Sequence, residues 1–307
     1  MQQRKLDLTL GPILFFWPKE TILDFYQLII QQPLDRIYLG ETVCSRRQEL
    51  KVADWIDLAH DLASSGKKII LSSQVLMESE SDLKRLRKLV EQEDFTIEAN
   101  DLGAVKMLYA KGLPFIAGQS LNIYNEQTLA LMQSLGAISW VGSVELAAEK
   151  LAHIIAAVPE MPCEIMGWGK LPLAYSSRCF TARHYNLKKD NCEFKCLQHA
   201  EGLQLRTREQ QSFLTINGIQ TMSAACCSLI AHYPHMVQCG IAALRLSPQQ
   251  HFMADIIQIH RQVIDGVMTT SAAVQALYSV MGDNLVDGYW QGKAGIKCSV
   301  EVSCAGS

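Results

Sequence analysis

The sequence predicts an α/β fold: a (β/α)8 TIM-barrel-like core with a Cys-rich insertion after the seventh strand. Three observations predict it. Short apolar runs alternate with helical periodicity at a spacing of about thirty residues, the length of one strand–helix unit. There are eight strand signals, and the crossovers that parallel strands need are helices here. No Gly-x-Gly-x-x-Gly follows the first strand, which argues against a doubly wound nucleotide-binding sheet.

The elements follow in order. Residues 6–13 form a first strand, and helical spacing runs from 20 to 30. Residues 36–40 are a second strand. Val52, Trp55, Ile56, Ala59, Leu62 and Ala63 then fall on one helix face, and Gly66 stops that helix. Residues 68–71 make the third strand, before a charged helix over 80–92. Residues 95–99 make the fourth, followed by a helix over 102–110 and a helix-ending Gly112. The fifth is 114–118, with Leu131, Met132 and Leu135 on the helix behind it, and the sixth is 137–141. Ala147, Leu151, Ile154, Ile155 and Val158 share one face of the helix over 144–158. The seventh strand is 161–166. The pattern breaks there and resumes with a strand over 240–246 and a helix over 249–266.

One compact domain in three stretches results: 1–167 holds the first seven units, 168–239 the Cys-rich insertion, and 240–307 the last unit and a tail. Two strand-like pieces, 204–207 and 211–217, lie in the insertion with Asn217-Gly218, a hairpin-turn dipeptide. Loops after the strands form the functional face of such a barrel, so the insertion sits where chemistry is expected.

Composition narrows the functional classes. A chain of 307 residues buries roughly 75% of its unfolded surface, so it needs no disulfides to build a core. A net charge of -3 argues against an electrostatic nucleic-acid or membrane-surface binder. No run approaches the ~18 apolar residues of a membrane span, and the start lacks a small-residue cleavage site. A cytoplasmic protein is expected, in which the ten cysteines stay reduced as core fillers, metal ligands or nucleophiles.

Cys179, Cys192 and Cys196 crowd the insertion, among Arg178, Arg183, His184, Lys188, Lys189 and Lys195. Nearby cations stabilise thiolates, which bind metals. Cys44 follows the second strand beside Arg46 and Arg47, and its loop opens on the same face. Four such ligands suit a tetrahedral zinc or an iron–sulfur cluster, and the gaps do not make paired Cys-x2-Cys knuckles. Arg178 and Arg183 are the expected cations on the cluster. Cys163, Cys226, Cys227 and Cys239 read as buried small hydrophobes; Cys298 and Cys304 lie in the tail without an assigned role.

Among the other candidates, His232 and His235 lack a nearby carboxylate in sequence and read as a solvent-facing loop. The Lys84-Arg85 and Arg87-Lys88 pairs read as a solvated helix face, flanked as they are by acids. Glu41 follows strand two, and Glu98, Asn100 and Asp101 end strand four. Arg245, near the end of strand eight, could meet an anionic substrate bidentately. Glu98, Asn100 and Arg245 are the candidate substrate contacts; each could instead be a helix cap or a barrel ion pair. No catalytic acid or base is identified, and no Ser-His-Asp or Cys-His set stands out.

Glu164-x-x-Gly167, Leu173-Ala174-Tyr175-Ser176-Ser177-Arg178-Cys179 and Cys192-Glu193-Phe194-Lys195-Cys196 resemble the U32 peptidase-like family. Stretches 8–17, 38–47, 98–101 and 288–295 extend the likeness over nearly the whole chain, toward members acting in oxygen-independent ubiquinone biosynthesis. The resemblance implies a barrel-type core and a [4Fe-4S] cluster on Cys44, Cys179, Cys192 and Cys196. It also implies a heterodimer with a UbiU-like protein, a UbiT-like lipid-binding accessory protein, and hydroxylation of the ubiquinone ring with prephenate as the oxygen donor. Ser177-Arg178 stands where peptidase-like members favour a Gly before the cysteine, so proteolysis is not expected. The alternatives are an RNA-hydroxylation factor of the same superfamily and a zinc-stapled U32-type peptidase.

Overall fold

The computed structural model describes residues 5–282 and 285–299. Strand and helix alternate as the periodicity predicts: β1 (Asp7–Leu10), α1 (Lys19–Ile29), β2 (Arg36–Leu39), α2 (Val52–Ala63), β3 (Lys68–Ser72), α3 (Glu80–Glu91), β4 (Thr96–Ala99), α4 (Leu102–Lys111), β5 (Phe115–Ala117), α5 (Glu126–Ser134), β6 (Ala137–Val141) and α6 (Ala148–Ala157). Then come β7 (Cys163–Tyr175), α7 (Phe180–His184), β8 (Leu203–Arg206), β9 (Ser212–Asn217), β10 (Gln220–Ser228), α8 (Tyr233–Gln238), β11 (Ala243–Leu246), α9 (Met253–Ile264), α10 (Thr270–Met281) and β12 (Leu285–Val286).

Local chemistry sets several ends. Ser79, Asp101, Asn125 and Thr269 each accept a backbone N–H at the start of α3, α4, α5 and α10. Gly112 closes α4 in the left-handed conformation that a residue lacking a Cβ adopts freely.

Strands β1 to β7 pair in parallel in chain order, and β11 pairs with both β1 and β7, so eight parallel strands close into a barrel. Alternation along each strand separates two environments. Leu8 and Leu10, Ile37 and Leu39, Ile69 and Leu71, Ile97 and Ala99, and Leu244 and Leu246 belong to the main apolar core. Their neighbours Tyr38, Ile70, Ile116 and Val141 form a second, smaller apolar cluster. The remaining alternate positions carry Thr9, Ser72, Glu98, Glu164 and Arg245, all buried. The barrel interior is therefore half polar. Gly167 explains the glycine of the Glu164-x-x-Gly167 motif: a Cβ there would lie 2.0 Å from Leu244 Cδ1 on the neighbouring strand.

The insertion continues the barrel sheet. Strand β7 runs on to Tyr175, past 167, and β10, β9 and β8 pair with it successively as an antiparallel extension of the same sheet. The pieces expected at 204–207 and 211–217 are β8 and β9, and Asn217-Gly218 does open a two-residue turn, with Asn217 paired to Gln220. Strand β10 and helix α10 lay outside the expected elements. On α5 the core residues are Leu129 and Met132, whereas Leu131 is exposed. Among the described residues no helix is long and apolar enough to cross a membrane.

Candidate metal centre and barrel mouth

Three segments converge beside the barrel. The loop after β2 carries Cys44 and is shaped by Glu41, whose Oε1 accepts from the N–H groups of Val43 and Cys44 at 2.9 and 3.0 Å. The start of α7 carries Cys179, whose Sγ accepts from the Ala182 N–H at 3.4 Å. This helix is held on the β9–β10 turn: the Phe180 N–H donates to the Gly218 carbonyl at 2.9 Å, and the Gly218 N–H to Thr181 Oγ1 at 3.0 Å. The third segment holds Cys192 and Cys196, with Glu193 and Phe194 between them in left-handed backbone conformation. Strained turns of this kind persist where the surroundings fix them.

Cys44, Cys179, Cys192 and Cys196 line one small recess. All are free thiols; Cys44 and Cys192 are buried and the other two half-buried. Arg47 lies among them, only 3% exposed. Its Nη1 donates to the Leu14 carbonyl at 2.9 Å and its Nη2 to Asn217 Oδ1 at 2.6 Å, while its guanidinium sits over the Phe16 ring at 5.4 Å. Burial pushes the Cys44 thiol up to about 11, opposed by the Arg47 charge. Burial raises Cys196 as well, again opposed by Arg47, while Cys179 and Cys192 push it further up. Cys44 and Cys196 thus feel neighbouring thiols and the Arg47 cation, and Arg46, Lys189 and Lys195 also line the recess.

This donor set fits a thiolate-held group. Buried thiols that raise each other's pKa lower their free energy by binding a cation. Among the described residues, no three His, Cys, Asp or Glu side chains are gathered so as to hold a single metal ion. The four thiols ring a recess rather than converge on a point.

Of the expected cations Lys189 and Lys195 line the recess, whereas the two arginines expected on the cluster do not. Arg178 and Arg183 are exposed, and Arg47 takes the place beside the thiols. Position 47 was visible as one of two arginines after Cys44; only the fold tells it from Arg46, whose Nη1 reaches Asp190 at 3.5 Å. Cys163, Cys226 and Cys227 are buried away from the recess, with thiols raised by burial, Cys226 to about 12. Cys239 is half-buried, Cys298 is exposed, and Cys304 lies outside the described residues.

Glu98, Asn100 and Arg245 meet at the barrel mouth, at the C-terminal ends of the strands. Arg245 Nε donates to Glu164 Oε1 at 2.6 Å and Nη1 to Glu98 Oε1 at 2.7 Å, with the guanidinium 4.0 Å over the Tyr38 ring. The expected bidentate grip on an anion is therefore not available, because two carboxylates already occupy that fork. Burial disfavours both charges, but Glu164 and Glu98 hold the Arg245 pKa well up, and Arg245, Arg36 and the Tyr38 hydroxyl hold Glu164 down. Ser72 Oγ and Asn100 Nδ2 donate to Glu98 Oε2 at 2.6 and 3.4 Å. Asp101 caps α4 through the Gly103 N–H. Sequence reasoning placed no weight on Thr9 and Tyr38, or on Glu164 beyond its motif, although a charged residue inside the apolar run 163–166 was the available signal.

His232 also differs from expectation, while His235 faces solvent as expected, on α8. His232 Nε2 lies 2.7 Å from Asp287 Oδ2, a carboxylate brought from 55 residues away, and both imidazoles pack on the Trp290 ring.

A larger, mostly apolar cavity of about 270 Å³ opens between α2 and α3 and the ends of β2 and β3, with Trp55, Leu86 and Leu89 on its walls. Arg47 lines both this cavity and the thiol recess.

Comparison with known proteins places the chain. It is 25% identical over 168 residues to tRNA hydroxylation protein P of Haemophilus influenzae, 51% of this chain and 36% of that protein. It is 27% identical over 111 residues to tRNA hydroxylation protein P of Escherichia coli, 36% of this chain and 24% of that protein. The chain thus spans about a third or less of the length of these curated relatives. Among solved structures, a dihydrodipicolinate synthase family protein from Coccidioides immitis aligns with a TM-score of 0.50 at 7% identity, over 92% of this chain and 80% of that one. A U32 peptidase, Mk0906, aligns with a TM-score of 0.42 at 11% identity, over 81% of this chain and 95% of that one. The family model for peptidase family U32 matches residues 23–298, nearly the whole described barrel with its insertion. The chain belongs to peptidase family U32.

Proposed function

We propose that this chain is the [4Fe-4S] subunit of a UbiU–UbiV-type complex that hydroxylates the ubiquinone ring without oxygen, in the cytoplasm. The observation that carries the reading is the convergence of Cys44, Cys179, Cys192 and Cys196 on one recess around buried Arg47. Those four thiolates would hold the cluster, which supplies one-electron chemistry when bound. The chain's own contributions follow from the site. Arg47 offsets negative charge on the thiolates. The β9–β10 turn fixes α7 and so Cys179. The apolar cavity sharing Arg47 offers a mostly apolar wall on which a ring substrate could lie. A UbiU-like partner, a UbiT-like lipid-binding protein and prephenate as oxygen donor complete the proposal.

Anaerobic co-purification with the partner tests it, with iron, acid-labile sulfide and ring hydroxylation measured together. Iron and sulfide in equal amounts, with hydroxylated quinone, are expected; a colourless zinc protein lacking sulfide would refute the cluster and favour the zinc-stapled peptidase.

A second reading is favoured by the relatives named tRNA hydroxylation proteins: a factor in RNA hydroxylation. A net charge of -3 weighs against direct RNA binding by this chain. A deletion strain separates the two readings, since one predicts loss of quinone and the other loss of a hydroxylated nucleotide with quinone intact.

A further inference from the structure

The barrel mouth holds a small cavity of about 40 Å³ that belongs to neither the thiol recess nor the apolar cavity. Its walls come from the loops after successive strands, and include Thr42, Glu98, Asn100, Ser120, Tyr175 and Arg245. Two of these have a buried polar atom without a partner among the described residues: Arg245 Nη2 and Thr42 Oγ1. Arg245 is 7% exposed and Thr42 2%. Buried donors left unmatched are costly, and a ligand or water that pairs with them recovers that cost. With Nε and Nη1 committed to Glu164 and Glu98, Nη2 is the edge of the guanidinium left to face a ligand.

Charge selects the kind of ligand. Glu98 and Glu164 both lie on Arg245, and Arg36 is shared between Glu164, at 3.5 Å, and Asp7, at 2.8 Å. Two buried carboxylates thus face two guanidinium groups, while Asp7 is 54% exposed. A further anion would enter a buried site whose cations are already matched. A neutral oxygen meets no such cost.

We propose that this cavity binds a small neutral molecule through a carbonyl or hydroxyl oxygen, which accepts from Arg245 Nη2 and pairs with Thr42 Oγ1. The proposal is independent of what the four thiols hold.

Ligand-observed NMR with hydroxyacetone and glycolate, probes of similar size that differ in charge, tests it on the full chain. Hydroxyacetone should give saturable transfer in the millimolar range, with glycolate about tenfold weaker. One lost hydrogen bond corresponds to about three- to tenfold, so Thr42→Val and Arg245→Lys should each weaken hydroxyacetone by that factor. Thr42→Val removes only a hydroxyl and serves even if the arginine variant does not fold. Glycolate binding as tightly as hydroxyacetone would overturn the charge argument. Absence of saturable hydroxyacetone binding, as when water alone fills the cavity, or unchanged affinity in the folded variants, would overturn the site.

Discussion

Arg47 Nη2 donates to Asn217 Oδ1 at 2.6 Å, joining the loop after β2 to a turn 170 residues further on. Gly218, next in that turn, has a φ of +67°, and a Cβ there would come within 2.9 Å of the same Nη2. The Asn-Gly pair therefore serves twice, reversing the chain and seating the guanidinium.

Replacing Arg47 by Met should cost about 3 kcal/mol in urea denaturation, because Asn217 Oδ1 and the Leu14 carbonyl lose a charged donor while buried. In iron-loaded protein the same change should make the midpoint potential more negative, since a nearby cation favours the added electron. Arg47→Lys should shift it less. A potential unmoved in both variants would reduce Arg47 to a purely structural role.

Alanine at Cys44, Cys179, Cys192 or Cys196 should each abolish most iron retention after anaerobic purification. Cys163→Ala should keep it, since Cys163 is buried in β7 away from the recess. Equal loss at Cys163 would show that the iron is not held by these four thiols.

Arg245→Leu should destabilise by about 3–5 kcal/mol, since it strands Glu98 and Glu164 in the barrel. Glu98→Gln in that background should recover part of the loss. Strict additivity in the double-mutant cycle would deny the coupling that the 2.7 Å contact implies.

His260 supplies a pH test remote from the thiols. It is 1% exposed, and burial lowers its pKa from 6.5 to about 4, against the opposing Ile256 carbonyl contact at 2.7 Å. Between those values the unfolded chain binds a proton that the folded chain does not. Stability is then full above pH 6.5 and falls toward pH 4, by about 3 kcal/mol from this group. His260→Leu should flatten that part of the profile in thermal melts; an unchanged slope would assign acid sensitivity elsewhere.

The barrel was legible because its strands and helices repeat a binary pattern that survives in any one stretch of sequence. Helix α2 starts and ends where the periodicity of Val52 to Ala63 does. Strand β10 was not legible, because Ser223, Ala224, Ala225 and the two cysteines carry neither strict alternation nor β-branched bulk, and its partners come from distant residues. At the site, crowding drew together Cys179, Cys192 and Cys196, and the loop rule added Cys44. Neighbourhood in sequence misassigned the cation, since Arg178 and Arg183 flank a cysteine along the chain yet face water. The same limit hid Asp287 from His232 and Glu164 from Arg245, pairs separated by 55 and 81 residues.

The placement of the four thiols has a consequence for biogenesis. Synthesis runs from the N-terminus, so Cys44 leaves the ribosome about 150 residues ahead of the last of its three companions, and the Asn217-Gly218 turn that seats them comes later still. Such long-range closure is slow compared with local helix formation. A newly made chain must therefore keep an unpaired thiol reduced while the strands up to β7 are made, and the recess can accept its occupant only after Gly218 has emerged.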